Sequence, residues 1–300
     1  MIDETAEEIR EMQTHSSSVV AVNATAALEE LLERSYESPD EFIRDLEHNA
    51  TVLRQANPSH ASLQNAIREV VQTVGESYDS VEAAKAATHE AIEAVIDRVE
   101  AAKQRSATRA VELLADGDTL LTHDFSTTVV SAIEQAAEEG MALDVLVTEA
   151  RPRFIGRKMA RTLADTDGVD VTLLTDAAAG TVLTDCDRVL LGMDCIVEET
   201  LYNRVGTFPI AVTADYLDVP VTVIGAGTKI ITDGFVFENE YRPASEVLPE
   251  PADGFDIHNP AYDATPVALL EQRCDGRRDS SVLRGPRRSR CGRGCPRPPR

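Results

Sequence analysis

The stretch LLTHDFSTTVV, residues 120–130, passes from the pattern of a buried strand to the pattern of a helix. A short apolar run comes first, and Ser126 stands where a helix would begin. His123, Asp124 and Ser126 lie between the two, where they could catalyse, bind a ligand, or only end a strand and start a helix. The stretch predicts a strand–loop–helix unit, which is the repeating element of an α/β sheet domain.

Four further apolar runs follow, with helical or loop segments between them. They are LDVLVTE (143–149), VDVTLLT (169–175), DRVLLG (187–192) and VPVTVIG (219–225). Strands that alternate with helices indicate a mostly parallel sheet that is covered on both faces. We therefore predict a Rossmann-like domain over residues 116–272.

The chain before this domain has only helical patterns. Ser38 followed by Pro39 predicts a helix start, and Gly75 predicts a helix end. From Ser80 a long run consists almost entirely of good helix formers. The predicted fold class is α/β: an all-helical N-terminal domain, residues 1–115, followed by the Rossmann-like sheet domain.

The composition restricts the class of function. The formal net charge is −23, with 29 Lys and Arg against 52 Asp and Glu, which disfavours nonspecific nucleic-acid binding. Scarce Lys and abundant acids are typical of proteins adapted to high salt, and an ordinary acidic protein is the alternative. No apolar run has the length of a membrane span, and the N-terminus lacks a signal-peptide pattern. We expect a cytoplasmic protein without membrane contact.

Residues 273–300 differ sharply from the rest of the chain. They hold ten arginines and three of the five cysteines, whereas residues 1–272 carry 19 basic and 50 acidic residues. Without apolar periodicity they are predicted to be a disordered tail with no packed element. One interpretation is a basic arm for nucleic acid. The abrupt break after PVALLEQ favours the other, a reading-frame change in a GC-rich gene.

The sequence predicts neither a metal ion nor an organic cofactor. Cys186 and Cys195 lack the spacing of a disulfide framework or a zinc site, so buried thiols are the simplest interpretation. GAGTKI, residues 225–230, lacks the third glycine of the dinucleotide fingerprint and follows the last strand. P-loop and zinc-peptidase motifs are absent from the sequence.

Ligands of such sheets bind beyond the carboxyl ends of the strands. The segments there are THDFS (122–126), TEARPRFIG (148–156), TDAAAG (175–180), GMDCIVEETLYNRVGT (192–207) and GAGTKI (225–230). All are read as loops that point to one edge of the sheet. Their composition predicts a polar pocket for an anionic small molecule.

Three features of these loops suggest chemistry. Arg151 could grip a phosphate, or form a surface salt bridge with Glu149. NRVGT, residues 203–207, resembles a helix start whose N–H groups suit an anion. Asp194 ends a buried strand, where it could shuttle protons or only cap a helix.

The motifs DGDTLLTHDFSTTVV, TEARPRFIGRKMA, DAAAG, LLGMDCIVEETLYNRVGT and NPAYDATP occur in this order. Together they resemble the family that unites the alpha, beta and delta regulatory subunits of eukaryotic translation initiation factor 2B with two isomerases. These are methylthioribose-1-phosphate isomerase and archaeal ribose-1,5-bisphosphate isomerase. The resemblance implies a helical N-terminal domain, a Rossmann-like domain that forms dimers, and a phosphorylated pentose as ligand of the isomerases.

The resemblance also implies site residues, with departures from the isomerases. Asp194 matches their catalytic aspartate, whereas Asp124 stands in the place of their catalytic cysteine. His15, Ser16 and Ser17 replace an Arg-Gly-Ala phosphate element, and Arg204 replaces a lysine. The predicted catalytic residues are Asp194 and Asp124. The predicted ligand-binding residues are His123, Ser126, Glu149, Arg151, Gly156, Asn203, Arg204, Gly206, Thr207 and Lys229.

These departures favour a factor 2B alpha-like protein of an archaeon, adapted to salt, over an enzyme. Such a protein would bind a sugar phosphate or nucleotide, assemble as a homodimer or larger homo-oligomer, and contact translation initiation factor 2. The alternative is a sugar-phosphate aldose–ketose isomerase of the ribose-1,5-bisphosphate type. Two carboxyl groups whose pKa values split can perform acid–base isomerisation, and Asp124 with Asp194 could do so.

In the resembling family, ordered sequence continues after NPAYDATP and completes the sheet domain. We expect its replacement by residues 273–300 to expose apolar surface and to lower stability. Translation of the other reading frames downstream of Gln272 tests this interpretation. An in-frame strand and helix there would support the frame change, and their absence would support the nucleic-acid arm.

Overall fold

The computed structural model describes residues 2–11, 16–58, 60–75, 77–231, 237–250, 253–271 and 281–283. Helices alone precede the first strand, as the sequence predicts. They are α1 (Ile2–Arg10), α2 (Ser17–Ala27), α3 (Glu30–Glu33), α4 (Pro39–Ala56), α5 (Ala61–Val74) and α6 (Val81–Val111). Within these described ranges, no helix combines the length and the apolar character that crossing a bilayer requires.

Side-chain caps set where these helices begin. The Ser38 hydroxyl accepts the Glu41 N–H at 3.3 Å, with Pro39 as the first helical residue. His60 caps α5 in the same way, and Gly75 follows its end with φ +72°. Such caps bind N–H groups that a helix leaves without intrahelical partners. The helices pack around one apolar cluster that includes the fully buried side chains of Leu28, Leu31, Phe42, Leu53 and Ile67.

Strands begin at Thr119. They are β1 (Thr119–Thr122), β2 (Leu143–Thr148), β3 (Val169–Leu174), β4 (Arg188–Leu191), β5 (Cys195–Val197), β6 (Thr200–Arg204), β7 (Val221–Gly225), β8 (Ile230–Ile231), β9 (Tyr262–Pro266) and β10 (Ser281–Leu283). The helices among them are α7 (Thr127–Glu138), α8 (Gly156–Ala164), α9 (Ala179–Val182) and α10 (Thr207–Tyr216). The α/β fold class predicted from the sequence is confirmed.

The larger sheet has the order β10-β7-β4-β1-β2-β3. All five strands predicted from the sequence lie in it and pair in parallel. Strand β1 is central: Leu121 pairs with Leu146 on one side and with Val189 on the other. Because the strands are parallel, the loops after β1, β2, β4 and β7 leave the same edge. The loops that were predicted to surround a ligand therefore lie together at one edge of the sheet.

A second sheet was not predicted. Residues 192–207 were read as a loop, but they contain the antiparallel hairpin β5–β6, with Glu198 in the turn at φ +53°. Strand β9 pairs with β6 and β8 pairs with β5, giving the order β8-β5-β6-β9. Strands β5 and β8 have only three and two residues, which is too few to display an alternating pattern. Only tertiary pairing reveals them.

Part of residues 273–300 also departs from prediction. Ser281–Leu283 forms β10, which pairs antiparallel with β7, whereas the sequence predicted no packed element. Three residues offer no periodicity to detect, and the open edge of β7 supplies the pairing. The remaining residues of this stretch lie outside the described part of the chain.

Helix α8 starts against the end of β2. A Cβ atom built on Gly156 would overlap the carbonyl oxygen of Thr148. The N–H of Gly156 donates to the Glu149 carbonyl at 3.2 Å, which closes the loop between the two elements. Glycine is therefore required here by steric contact with the sheet.

We expect Gly156→Ala to lower the free energy of unfolding by about 3 kcal/mol, because a backbone carbonyl cannot yield to the added methyl group. Gly180→Ala in α9 is the matched control, since its Cβ would meet its nearest neighbour at 3.7 Å. The control should gain about 0.5–1 kcal/mol. Denaturant unfolding at constant salt measures both, and equal stability of the two variants would contradict the contact.

Candidate functional site

Loops after β1, β4 and β7 converge on a cleft of about 370 Å³. We term it the strand-end cleft, and Asp124, Ser126, Asp194, Asn203 and Lys229 are among its lining residues. Ser16 and Ser17, from the start of α2, close one side. The structure thus brings together predicted residues from three loops that are up to about a hundred positions apart in the chain. Their proximity follows from the parallel strand order.

His123 is the framework of this cleft. Its side chain is buried, with Nδ1 2.6 Å from the Thr148 hydroxyl and Nε2 2.9 Å from the Val205 carbonyl oxygen. A carbonyl only accepts hydrogen bonds, so Nε2 carries a proton. The imidazole thus joins the ends of β1 and β2 to the turn before α10. Both ring nitrogens are engaged, and His123 acts by holding the loops.

Gly206 makes this arrangement possible. Its φ of +113° favours glycine, and an added Cβ would lie 2.6 Å from Nε2 of His123. Any side chain would therefore displace the imidazole as well as strain the backbone. Gly206 was predicted to bind a ligand. The structure gives a different reason for a glycine at this position, which is the close approach of the His123 ring.

Asp124 follows His123 directly and is buried. Its backbone has φ +70°, a left-handed conformation that turns the chain sharply after β1. Arg204 Nε lies 3.4 Å from Oδ2, whereas Oδ1 has no hydrogen-bond partner among the described residues. Burial raises the pKa of the Asp124 carboxyl, Arg204 opposes the rise, and the charge of Asp194 adds to it. One long contact does not replace the lost water, so burial is the largest influence on this carboxyl.

Arg204 is the buried cation beside this carboxyl. Burial alone would lower the pKa of its guanidinium, but the charge of Asp124 raises it above its ordinary value. Its Nη1 also approaches the Ala261 carbonyl at 3.5 Å, and its guanidinium carbon lies 5.1 Å from the centre of the Tyr262 ring. The arginine that replaces lysine is thus held by β9, which the sequence did not place near the site.

Lys229 supplies a second buried cation. Its Nζ donates to the Met193 carbonyl at 2.8 Å, in the residue before Asp194. Burial lowers the pKa of the Lys229 ammonium, and the charge of Asp194 acts in the opposite direction. The loops after β4 and β7 are therefore joined next to the predicted catalytic carboxyl.

Asp194 and Ser17 also line an adjacent space of about 530 Å³, which we term the helical cleft. One side comes from α1, α2 and the segment before α5, and the other comes from the sheet domain. Its lining residues are Thr5, Glu8, Ile9, Ser17, Val20, Asn23, Asn57, His60, Arg153, Asp194, Arg204 and Tyr262. The two clefts together form a charged region around Asp194.

Three predicted ligand-binding residues, Ser126, Asn203 and Thr207, make local bonds. Ser126 caps α7 by accepting the Val129 N–H at 3.3 Å, one of the roles considered for it from the sequence. Asn203 donates to the Thr207 hydroxyl at 2.9 Å, and that hydroxyl donates to the Arg204 carbonyl. These bonds define the turn into α10.

The N-terminus of α10 is already occupied by a carboxyl group. The N–H groups of Gly206 and Phe208 donate to Oδ2 of Asp263 at 2.8 and 2.9 Å. NRVGT was expected to offer such groups to a phosphate, and this expectation needs correction: Asp263 of NPAYDATP occupies them. The pairing of Asn203 with Asp263 across β6 and β9 places the carboxylate there. A contact between residues so distant in sequence leaves no local signal.

The salt bridge considered as an alternative role for Arg151 is not the one that the structure contains. Glu149 pairs instead with Arg157 at 2.8 Å. Arg151 is exposed, and its backbone N–H is held by Asp176 at 2.7 Å. The side chain of neighbouring Arg153 lines the helical cleft instead. Pro152 separates the two arginines, and of the two only Arg153 lines the helical cleft.

Sequence reasoning missed Arg153, Asp263, Asp176 and His60. Arg153 and Asp263 lie within motifs that were already singled out, and their charge alone was a usable signal. Asp176 accepts the Ala150 and Arg151 N–H groups and fixes the loop after β2. His60 belongs to the helical half, which was interpreted only as packing. The strand-end rule directs attention away from that half.

Helices packed on a Rossmann-like sheet, with charged clefts at the strand ends, define an α/β protein with a polar site. Residues 13–272 match the model of the initiation factor 2 subunit family. The chain belongs to this family, and the resemblance noted in its motifs is confirmed.

Curated relatives include isomerases from archaea. Ribose 1,5-bisphosphate isomerase of Haloterrigena turkmenica is 34% identical over 284 residues, covering 89% of this chain and 86% of the relative. The putative methylthioribose-1-phosphate isomerase of Archaeoglobus fulgidus is 28% identical over 292 residues, covering 89% and 84%. These matches support the isomerase alternative better than the regulatory-subunit interpretation.

Solved structures share the fold. 5-Methylthioribose 1-phosphate isomerase from Pyrococcus horikoshii OT3 has a TM-score of 0.77 at 24% identity, covering 90% of this chain and 81% of that one. The delta subunit of translation initiation factor eIF-2B from A. fulgidus has a TM-score of 0.72 at 24% identity, covering 90% and 84%. Fold alone therefore does not separate enzyme from factor.

We expect the stabilising effect of Asp124→Asn to grow with pH. The folded-state pKa of Asp124 is raised above its ordinary value of 3.8, so the unfolded chain loses this proton at a lower pH. The resulting cost to stability is absent below that value and increases up to the folded pKa. Melting temperatures of variant and wild type between pH 4 and 8 should diverge by several degrees.

Asp170→Asn, at an exposed position of β3, is the control for that comparison. Its difference from the wild type should stay flat over the same range. A gap for Asp124→Asn that narrows as pH rises would mean that Arg204 stabilises the ionised carboxylate.

Proposed function

We propose that the protein is a sugar-phosphate isomerase that converts an aldose phosphate of the ribose 1,5-bisphosphate type into the ketose. One observation carries the proposal: a buried carboxyl with a raised pKa, Asp124, lies in one cleft with Asp194. Two carboxyl groups in one cleft can act as general acid and general base of the same reaction. Identity of 34% with a ribose 1,5-bisphosphate isomerase supports the substrate class.

The proposed reaction transfers hydrogen within the substrate. Asp194 takes the hydrogen of carbon 2 as a proton, while protonated Asp124 gives its proton to the ring oxygen as the bond from that oxygen to carbon 1 breaks. An enol phosphate results. Asp124 then takes the proton of the enol hydroxyl on carbon 2, and Asp194 returns a proton to carbon 1. The product is the ketone, and both carboxyl groups are back in their starting states. No redox partner is needed, because every electron pair stays within the substrate.

Basic side chains in the two clefts fit an anionic substrate. Lys229 lies beside Asp194 in the strand-end cleft, and the partly buried Arg153 lines the helical cleft. A phosphate brought next to Asp194 and Asp124 would otherwise be repelled, and nearby cations offset this repulsion. Asp124 stands in the place of a thiol. In its protonated form it carries no charge, so it would not repel the substrate phosphate.

A second candidate is a regulatory-subunit-like protein without catalysis. The Asp124–Arg204 contact favours it, because one carboxyl oxygen is engaged within the protein. The cleft would then bind a sugar phosphate or a nucleotide, and the protein would act through contacts with translation initiation factor 2. As an enzyme or a factor it would assemble as a homodimer or larger homo-oligomer in the cytoplasm.

Incubation with ribose 1,5-bisphosphate at high salt separates the candidates. The wild type should form the ribulose product, detected by phosphorus NMR. Asp194→Asn should abolish turnover, and Asp124→Asn should slow it by at least about 100-fold, because each removes a general acid–base group. Asp170→Asn should retain full activity.

Melting temperatures with and without substrate accompany the assay. A wild type that gains stability from substrate but forms no product would overturn the isomerase proposal in favour of the second candidate. Turnover that survives in Asp194→Asn would overturn the proposed mechanism.

A further inference from the structure

His60 stands immediately before α5, at the edge of the helical cleft. Its Nδ1 accepts the Leu63 N–H at 3.2 Å, so the imidazole caps the helix. Because Nδ1 acts as an acceptor, the proton of the neutral ring lies on Nε2. The cap thereby fixes the tautomer and leaves one N–H donor for another partner.

Helix α5 is fastened to the sheet domain close to this histidine. Asn65 Nδ2 donates to the Thr228 carbonyl at 2.7 Å, in the residue before Lys229. His60 and Asp194 both line the helical cleft. The imidazole is therefore held on a rigid element, across the cleft from the loops that carry the proposed chemistry.

The surroundings of His60 favour its neutral form. Burial lowers the pKa of the imidazole to about 4, Lys229 acts in the same direction, and Asp194 opposes them. Arg153, Arg204 and Glu8 line the same cleft. At neutral pH the ring therefore offers a hydrogen bond without a positive charge.

We propose that His60 contacts the bound sugar phosphate, with its neutral Nε2–H donating to a sugar oxygen held between His60 and Asp194. This inference rests on the proposed function and deepens it. A neutral imidazole polarises a hydroxyl or carbonyl oxygen without giving up its proton, so it orients the substrate while the carboxyl groups exchange protons. Two basic side chains line the same clefts: Lys229, and Arg153, whose Nε lies 3.7 Å from Glu246. The helical half of the chain thereby supplies a catalytic residue.

His60→Ser tests the role of the N–H donor. Serine is a favoured N-cap, so its hydroxyl can still accept the Leu63 N–H and the fold should be retained. The side chain no longer reaches into the cleft, and kcat/KM should fall by about 100-fold, as for loss of one well-placed donor. The melting temperature should stay close to that of the wild type. His89→Ser, at an exposed histidine of α6, is the matched control and should leave both quantities unchanged.

Nitrogen NMR of the labelled imidazole provides a readout that helix capping alone would not change. At pH 7, Nε2 of His60 should be protonated and Nδ1 should not, and ribose 1,5-bisphosphate should shift the Nε2 signal. A charged ring, the opposite tautomer, or an Nε2 signal that ignores the substrate would overturn the inference.

These measurements distinguish the two proposals. If the wild type turns over substrate and His60→Ser does so equally well, the inference about His60 is wrong and the isomerase function stands. If the wild type only binds ribose 1,5-bisphosphate, and His60→Ser loses the stabilisation, the contact stands and the isomerase function is wrong. A wild type that neither reacts with the compound nor binds it overturns both.

Discussion

The imidazole of His123 joins three segments of chain that are far apart in sequence. It forms hydrogen bonds with Thr148 at the end of β2 and with Val205 before α10. His123 itself directly follows the last residue of β1. Gly206 leaves room for the ring where any other residue would collide with it. A buried polar ring is costly unless both nitrogens are bonded, so this geometry is strongly preferred over alternatives. The positions of the neighbouring charged residues depend on it.

Asp124 inherits its position from that constraint. The chain leaves His123 in a left-handed conformation, and the carboxyl enters a space where Arg204 is the nearby cation and Asp194 a second acid. One oxygen of the Asp124 carboxyl is near Arg204, and the other has no hydrogen-bond partner among the described residues. Burial raises the pKa of this carboxyl, and a carboxyl in its neutral form tolerates a nearby phosphate that an ionised one would repel. Asp124 stands where the resembling isomerases have a cysteine, so it removes the thiol. It also supplies a carboxyl group that can act as an acid in the proposed reaction.

Elements with a sequence period were the predictable part of the fold. The helical half, the five parallel strands and the cap of α4 all follow from apolar spacing, cap residues and glycine. The small sheet did not, because β5 and β8 have only three and two residues, and β8 and β9 pair with the β5–β6 hairpin across long separations. The same limit applies to the site: Asp124, Asp194 and Lys229 were found from strand ends, whereas His60 and Asp263 were not. Asp263 reaches α10 only because β9 pairs with β6.

The sequence by itself determined the fold class, the family, the order of the parallel strands' loops and the residue types available at their ends. It also identified Asp124 as the residue that departs from the thiol of the resembling isomerases. Tertiary structure alone decided which charges meet: Asp263, not a ligand, binds the N–H groups of α10, and Arg153, not Arg151, faces the helical cleft. Local patterns report burial and backbone conformation, which act between near neighbours. The protonation of a carboxyl and the partner of an N–H depend on atoms brought together from distant parts of the chain.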